Sequence, residues 1–434
     1  MKNLLSILTV MCCVLTLTAC GAKRSSTTEP DGTLDPCTLR FSWWGGDDRH
    51  EATLAAIELW NSRHPEIKIT PEYGGWDGWT EKVAAQISGG TAPDIMQINY
   101  DWLISFAGEN TFYDLDKLNG QLDISGFTDE VLSFGKSGGS LLAVPVSLSG
   151  RGLFYNSQVY GSLGLSYPST WSELLALGEP FSKKGLYPLD LDIQSGGTAW
   201  YLAVVKVQQE TGREFISMDG KLGFTVEDIE SALRFYKELE DAHVIRTIKT
   251  RTDEDGNAAL YQSPEFIDGR VAGVLEWGSS VGKYEMVLPE GVLESGPMLT
   301  DDKGNASGWM IKPSLLYSIS GKTGHPDEAA AFVSFLLNDE ECAAVLGTTR
   351  GIPASVYAEE SLEKNGMLTG LAQACDEKLE AIDTVTISPY MELTRMKEFY
   401  NSAIEAVSYN TQDIPAAAQE MYDSITSYLE KTVK

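Results

Sequence analysis

Between residues 38 and 98 the hydrophobic period of the chain changes four times, and that rhythm restricts its fold more than any other feature. Residues 38–44 alternate, with Leu39, Phe41 and Trp43 on one face, and Gly45-Gly46 breaks the run, so a strand is predicted. Leu54, Ile57 and Trp60 then keep helical spacing until His64-Pro65, where proline forbids continuation. A second strand is predicted at residues 67–70. A second helix carries Trp79, Val83 and Ile87 and ends at Gly89-Gly90, and a third strand covers residues 94–98. Strand, helix, strand, helix, strand is half of an open α/β sheet, in which ligands sit beyond the carboxyl ends of the strands. The three ends, at residues 44–49, 74–79 and 99–102, are polar and aromatic. Alternation turns Trp43 inward and Trp44 outward.

A second α/β region is expected from about Ser147. It has strand-like stretches at residues 152–155 and 269–277 and a long helical pattern at 226–240, with further helices at 326–346 and 390–407. The 434 residues fit two large lobes. With 33 Lys and Arg against 62 Asp and Glu the formal net charge is −29, which repels a polyanion, so nucleic acid is not an expected partner. The usage of 43% hydrophobic and 22% charged residues supports a large core and excludes a disordered or polytopic chain.

The first residues have the layout of a secretory signal: Lys2, an apolar run at 4–17, and small residues before a cysteine. Fourteen apolar residues fall short of the roughly 20 that span a bilayer as a helix. The junction Leu17-Thr18-Ala19-Cys20-Gly21 resembles the lipobox of bacterial lipoproteins, which implies a signal peptide at 1–19 and acylation of Cys20. Residues 20–37 then read as a polar tether. The remaining Cys37, Cys342 and Cys375 permit at most one disulfide and show no metal-ligand spacing; free thiols are expected.

Several strings together resemble the extracellular solute-binding proteins of carbohydrate ABC importers, the maltose-binding-protein-like family. They are Leu39-Arg-Phe-Ser-Trp-Trp-Gly, Ile57-Glu-Leu-Trp-Asn-Ser-Arg-His-Pro-Glu-Ile-Lys-Ile69, Ile87-Ser-Gly-Gly-Thr-Ala-Pro-Asp-Ile-Met96, Ala143-Val-Pro-Val-Ser147, Phe154-Tyr-Asn156 and Gly269-Arg-Val-Ala. The resemblance implies the two-lobed periplasmic-binding-protein fold, type II-like, with discontinuous lobes hinged around an interlobe cleft. The amino-terminal lobe would hold residues 38–146 and 314–358, and the carboxyl-terminal lobe 147–313 and 359–434. The segments crossing between them would lie near Val146, Lys312 and residues 356–363. It further implies a lipid-anchored monomer on the extracytoplasmic face of the cell membrane, without cofactor or metal. Such a protein captures a sugar, expected to be an oligosaccharide, and hands it uncut to the permease transmembrane subunits.

A sugar offers apolar C–H faces to aromatic rings and a rim of hydroxyls to planar polar groups. Matching the chain to the family on those terms puts Trp44, Asp47, Arg49, Asp101 and Trp102 at the first and third strand ends, with Trp76 on the second. From the other lobe come Arg151, Asp192, Gln194, Trp200, Glu276, Trp277, Trp309 and Tyr390. Trp60 and Trp171 read as core. Arg49 and Arg151 would pair with a carboxylate if both face the cleft, which leaves an acidic sugar open.

Competing chemistries have weaker support. Gly278-Ser-Ser-Val-Gly282 matches a nucleophile elbow, yet the only later histidine is His325, at a helix start. A glycoside hydrolase would also line a cleft with Trp and carboxylates. A peptide or another non-sugar solute remains the alternative ligand class. Asp253-Glu-Asp-Gly-Asn257 has the composition of a calcium loop with glycine misplaced, and reads as a solvated turn.

Overall fold

The computed structural model describes residues 35–106, 108, 110–118, 120–191 and 197–433. The expectations for Cys20, Asp192 and Gln194 lie outside them. The first elements are β1 (Cys37–Trp44), α1 (Asp47–Arg63), β2 (Ile67–Gly74), α2 (Trp79–Gly89), β3 (Ile95–Ile98) and the single turn α3 (Trp102–Ser105). β1 pairs in parallel with β2 on one side and β3 on the other, which is the predicted α/β half. Cys37, expected in the tether, opens β1.

Both faces of β1 are covered, and this changes the expectation for Trp44. Trp43 is fully buried, stacks on Tyr73 at 4.9 Å and donates from Nε1 to His50 Nδ1 at 3.1 Å. Trp44 is only 8% exposed, because Trp76 and Trp102 close over it at 5.1 and 5.4 Å. A parallel strand is buried on both sides, so alternation does not separate inside from outside here.

A hairpin of β4 (Lys136–Ser137) and β5 (Ser140–Leu141) leads into the long β6 (Ala143–Asn156). β7 (Gly273–Trp277), β8 (Leu293–Ser295), β9 (Met310–Ile319) and β10 (Val385–Thr386) complete the strands. The large sheet has the order β2-β1-β3-β9-β6-β7, with β10 on β9 and β8 on β6. β6 changes partners along its length. Its first half pairs antiparallel with β9, from Ala143 opposite Ser318 to Gly150 opposite Ile311, and its second half, from Arg151, pairs with β7. The register between β6 and β9 shifts twice, between Pro145 and Ser147 and between Ser147 and Leu148. Such irregularities bend a strand and re-aim its side chains.

Three sequence expectations change. The strand at 269–277 begins only at Gly273, because Gly269 closes a turn onto the Phe266 carbonyl. The helix at 326–346 is two, Pro326–Asn338 and Glu340–Leu346; Asp339 separates them and caps the second by accepting from Cys342 N at 2.9 Å. The stretch at 390–407 opens as a short turn of 3₁₀ helix, Pro389–Glu392, before the helix Thr394–Ser408. The predicted helix at 226–240 is present as Val226–Asp241, started by a capping box between Thr225 and Asp228. Cys37, Cys342 and Cys375 are free thiols. No described helix is long and apolar enough to cross a membrane.

Candidate functional site

The carboxyl end of β1 shows how the sequence builds the site locally. A Cβ on Gly45 would lie 2.5 Å from Arg49 Cδ, so glycine there lets Arg49 fold back from the first turn of α1 over the strand end. Arg49 then donates through Nη1 to the Trp44 carbonyl at 3.1 Å and through Nε to the Thr349 carbonyl at 3.0 Å. The next residue, Arg350, is 4% exposed and donates to Gln97 Oε1 at 3.0 Å and to Thr53 Oγ1 at 2.8 Å. Its own carbonyl accepts from Ser314 Oγ of β9 at 2.9 Å and from Ser147 Oγ, at the register shift of β6.

Where β6 meets β7, Arg151 lies directly opposite Trp277. The Arg151 guanidinium stands 4.5 Å over the Trp277 ring and donates to Thr198 Oγ1 at 2.9 Å. The Lys312 ammonium lies over the same ring at 4.7 Å and pairs with Glu392 Oε2 at 2.6 Å; Lys397 reaches that oxygen at 3.3 Å. Burial works to raise the Glu392 pKa, but Lys312, Lys397 and Arg151 outweigh it and hold the carboxyl well below the usual carboxylate range. Burial lowers the Lys312 pKa, opposed by Glu392.

These groups line one cavity of about 330 Å³, together with Trp76, Asn99, Ser279, Ser280, Ser314 and Leu315. Five cations, Arg49, Arg151, Lys312, Arg350 and Lys397, face one carboxylate, Glu392. A wider cavity of about 860 Å³ shares Arg49, Ser279 and Ser280 with it and continues along Asp48, Lys283, Glu285, Met286 and Glu290. The chemistry on offer is therefore aromatic platforms beside planar cations, next to a wider cavity lined by the carboxylates Asp48, Glu285 and Glu290 as well as by Arg49 and Lys283. No group of three His, Cys, Asp or Glu able to hold a metal ion occurs among the described residues.

Of the residues expected from sequence, Trp44, Arg49, Trp76, Arg151 and Trp277 come together in this cavity. Others do not. Trp102 is 1% exposed, between Trp44 and Phe106. Trp200 is fully buried and stacked on Tyr400, and Trp309 is fully buried against Trp171. Their rings fill the core instead of facing a ligand. Asp47 is an exposed residue at the start of α1. Asp101 is buried, accepts from Asn99 Nδ2 at 2.6 Å, and has its pKa raised by burial. Glu276 pairs with Lys283 at 2.8 Å, and Tyr390 packs beside Gly220. Sequence reasoning missed Ser279, Glu392, Lys397 and Arg350 as lining groups, placed Asn99 only within the third strand end, and read Lys312 only as part of a crossing. The Ser280 of the nucleophile-elbow string lies on a 3₁₀ turn that lines the cavity.

A family model described as bacterial extracellular solute-binding protein matches residues 46–341. The chain belongs to that family. Its members are substrate-binding proteins of ABC importers, and the chain has their two-lobed α/β fold. A periplasmic solute binding protein from Pectobacterium atrosepticum is similar with a TM-score of 0.86 and 30% identity, covering 92% of this chain and 100% of that one. A periplasmic oligogalacturonide binding protein from Yersinia enterocolitica, in complex with saturated digalacturonic acid, is similar with a TM-score of 0.83 and 31% identity over the same shares. An uncharacterized lipoprotein of Streptomyces antibioticus is 26% identical over 364 residues, 78% of this chain and 76% of that protein.

Proposed function

We propose that this solute-binding protein captures an acidic oligosaccharide of the uronide class between its lobes and delivers it intact to a membrane permease, tethered by acylated Cys20. One observation carries the reading. In a chain of net charge −29, the cavity gathers five cations against one carboxylate and sets three tryptophans beside them. Trp faces suit the apolar side of a pyranose, and guanidinium forks suit a carboxylate. The continuation into the larger cavity suits an oligosaccharide over a monosaccharide. The likeness to a protein crystallised with digalacturonic acid supports the same class.

Binding without turnover is the mode of the family, and the state of the one carboxylate beside Trp277 supports it. A glycosidase needs one acid with a raised pKa to protonate the leaving oxygen, whereas Glu392 is held ionised by two lysines. We propose lobes close to those the resemblance implies, residues 38–146 and 314–364 against 147–313 and 371–434, with β6 and β9 as two of the crossings. We place the third crossing at residues 365–370 instead of 356–363. The helix Val356–Lys364 bonds to the first lobe through Val356 N to Gly126 O and Ser361 Oγ to Glu340 O. The helix Leu371–Glu380 bonds to the second through Lys378 to Ser295 and Gly296.

The test is intrinsic tryptophan fluorescence and melting temperature of the protein lacking residues 1–20, screened against acidic and neutral oligosaccharides and peptides. A saturable shift with uronides, and the glycan recovered uncut, is the expected result. A response confined to peptides or neutral glycans, or a shortened glycan, would contradict it.

A further inference from the structure

We propose that Arg49 and Arg350 form the seat for one carboxylate of the ligand, and that this seat, rather than the more numerous cations around Trp277, reads the charge of the sugar. The inference rests on the acidic-oligosaccharide reading and assigns it to particular atoms. The five cations of the cavity differ in what already neutralises them. Lys312 and Lys397 share the Glu392 carboxylate. Arg151 lies over the Trp277 ring at 4.5 Å and the Tyr201 ring at 5.4 Å, gives Nη1 to Thr198, keeps a buried Nε without a hydrogen-bond partner and adds to the field on Glu392, whereas the only ring under Arg350 among the described residues is that of Tyr317, farther off at 6.0 Å.

Arg49 and Arg350 have no carboxylate partner among the described residues. Their hydrogen bonds go to neutral acceptors only: the carbonyls of Trp44 and Thr349, the amide oxygen of Gln97 and the hydroxyl of Thr53. Arg350 Nη1 is buried and meets no hydrogen-bond partner in the described structure, while the side chain lines the cavity. A buried unmatched donor on a charged group is costly unless something fills it. The two guanidiniums also disfavour one another. Burial lowers the Arg49 pKa to about 10, with Arg350 as the next cause, opposed by Tyr317 and Asp48. Arg350 is lowered too, by burial.

An anion between them would relieve the burial of charge, the like-charge repulsion and the unmatched Nη1 together. The planar fork of arginine suits a carboxylate, which offers two oxygens. Position adds a second consequence. Arg49 lines both cavities, so a carboxylate held there fixes the register of the chain with sugar on either side. The seat is also fastened to both crossing strands through the Arg350 carbonyl, which accepts from Ser147 and Ser314. Gly351, at φ +96°, completes the turn, and a Cβ there would lie 3.1 Å from Ser147 Oγ.

The experiment is calorimetric titration of wild type, Arg49→Gln, Arg350→Gln and Arg350→Lys with digalacturonate and with its neutral dimethyl ester. Wild type should prefer the acid by about 10- to 100-fold, the worth of a hydrogen-bonded charge. Each glutamine variant should lose most of that preference, and Arg350→Lys should keep part of it. Because Arg350→Gln alters a buried position, Arg49→Gln is the decisive variant; its melting temperature without ligand is read beside that of wild type, so that loss of its bonds to the Trp44 and Thr349 carbonyls is separated from loss of charge preference. An unchanged acid-to-ester ratio in Arg49→Gln would overturn the seat while leaving the acidic-sugar reading standing. Equal affinity of wild type for acid and ester would overturn both.

Discussion

Trp277 sits under two cations, so its removal strips a sugar platform and also the ring that orients Arg151 and Lys312. Trp277→Ala should weaken uronide binding by about tenfold or more, given about 0.5–2 kcal/mol for each cation–π contact and further loss of stacking area; calorimetry reads this directly. Glu392→Gln should act on stability first. It leaves Lys312, one-tenth exposed, without its counter-charge, and breaking a buried pair by removing one partner costs about 3 kcal/mol. Urea unfolding of the ligand-free protein checks this, and a midpoint unchanged from wild type would show that the pair is not structural. The residues legible from sequence were those at predicted strand ends: Trp44, Arg49, Trp76, Arg151 and Trp277. Arg350, Glu392 and Lys397 were not legible, because each comes from a segment far along the chain that only the tertiary fold brings to the cleft. Trp200 and Trp309 misled for the complementary reason. Residue type marks a good platform, but neither the helix Thr198–Thr211, buried around Trp200, nor the loop that ends at Trp309 before β9 gives a sequence sign of which ring is already covered.

At the scale of elements, the helix Leu371–Glu380 faces Val356–Lys364 with a run of acids, and this gives the fold a pH dependence. Burial, with Glu380, Glu359 and Glu377 adding, pushes the Asp376 carboxyl up to about 7. An unfolded aspartate titrates near about 3.9, so between these values the native state binds more protons than the unfolded one. Stability conferred by protonated Asp376 is thus full below about 3.9, falls as pH rises through about 7, and is level above. Asp376→Asn should flatten that slope and raise the melting temperature at neutral pH; melting curves at pH near 5 and near 8 read it. A wild-type slope retained in the variant would assign the effect elsewhere. The βαβαβ start of the chain was legible because its hydrophobic period is strong. Breaks such as Asp339 within residues 326–346 were not, since a capping aspartate inside an apolar pattern leaves the period intact.

The whole molecule carries a net charge of −29 and yet has five cations around the cavity beside Trp277, so capture of an anion there would depend on that local field prevailing over the overall repulsion. Hinge closure around a ligand is the response of periplasmic-type binding proteins, and a hinge at the register shifts of β6 near Ser147 would lie beside the Arg350 carbonyl, which accepts from Ser147 Oγ. Solution scattering should show a smaller radius of gyration with a uronide than without, and superimposable profiles would count against closure. On the proposed function, the cleft takes an acidic oligosaccharide and returns it whole. Calorimetric titration of the protein lacking residues 1–20 with digalacturonate, followed by chromatography of the released ligand, tests it most directly. One saturable site and unaltered digalacturonate is the predicted result. Absence of binding heat across temperatures, or recovery of free galacturonate, would contradict it.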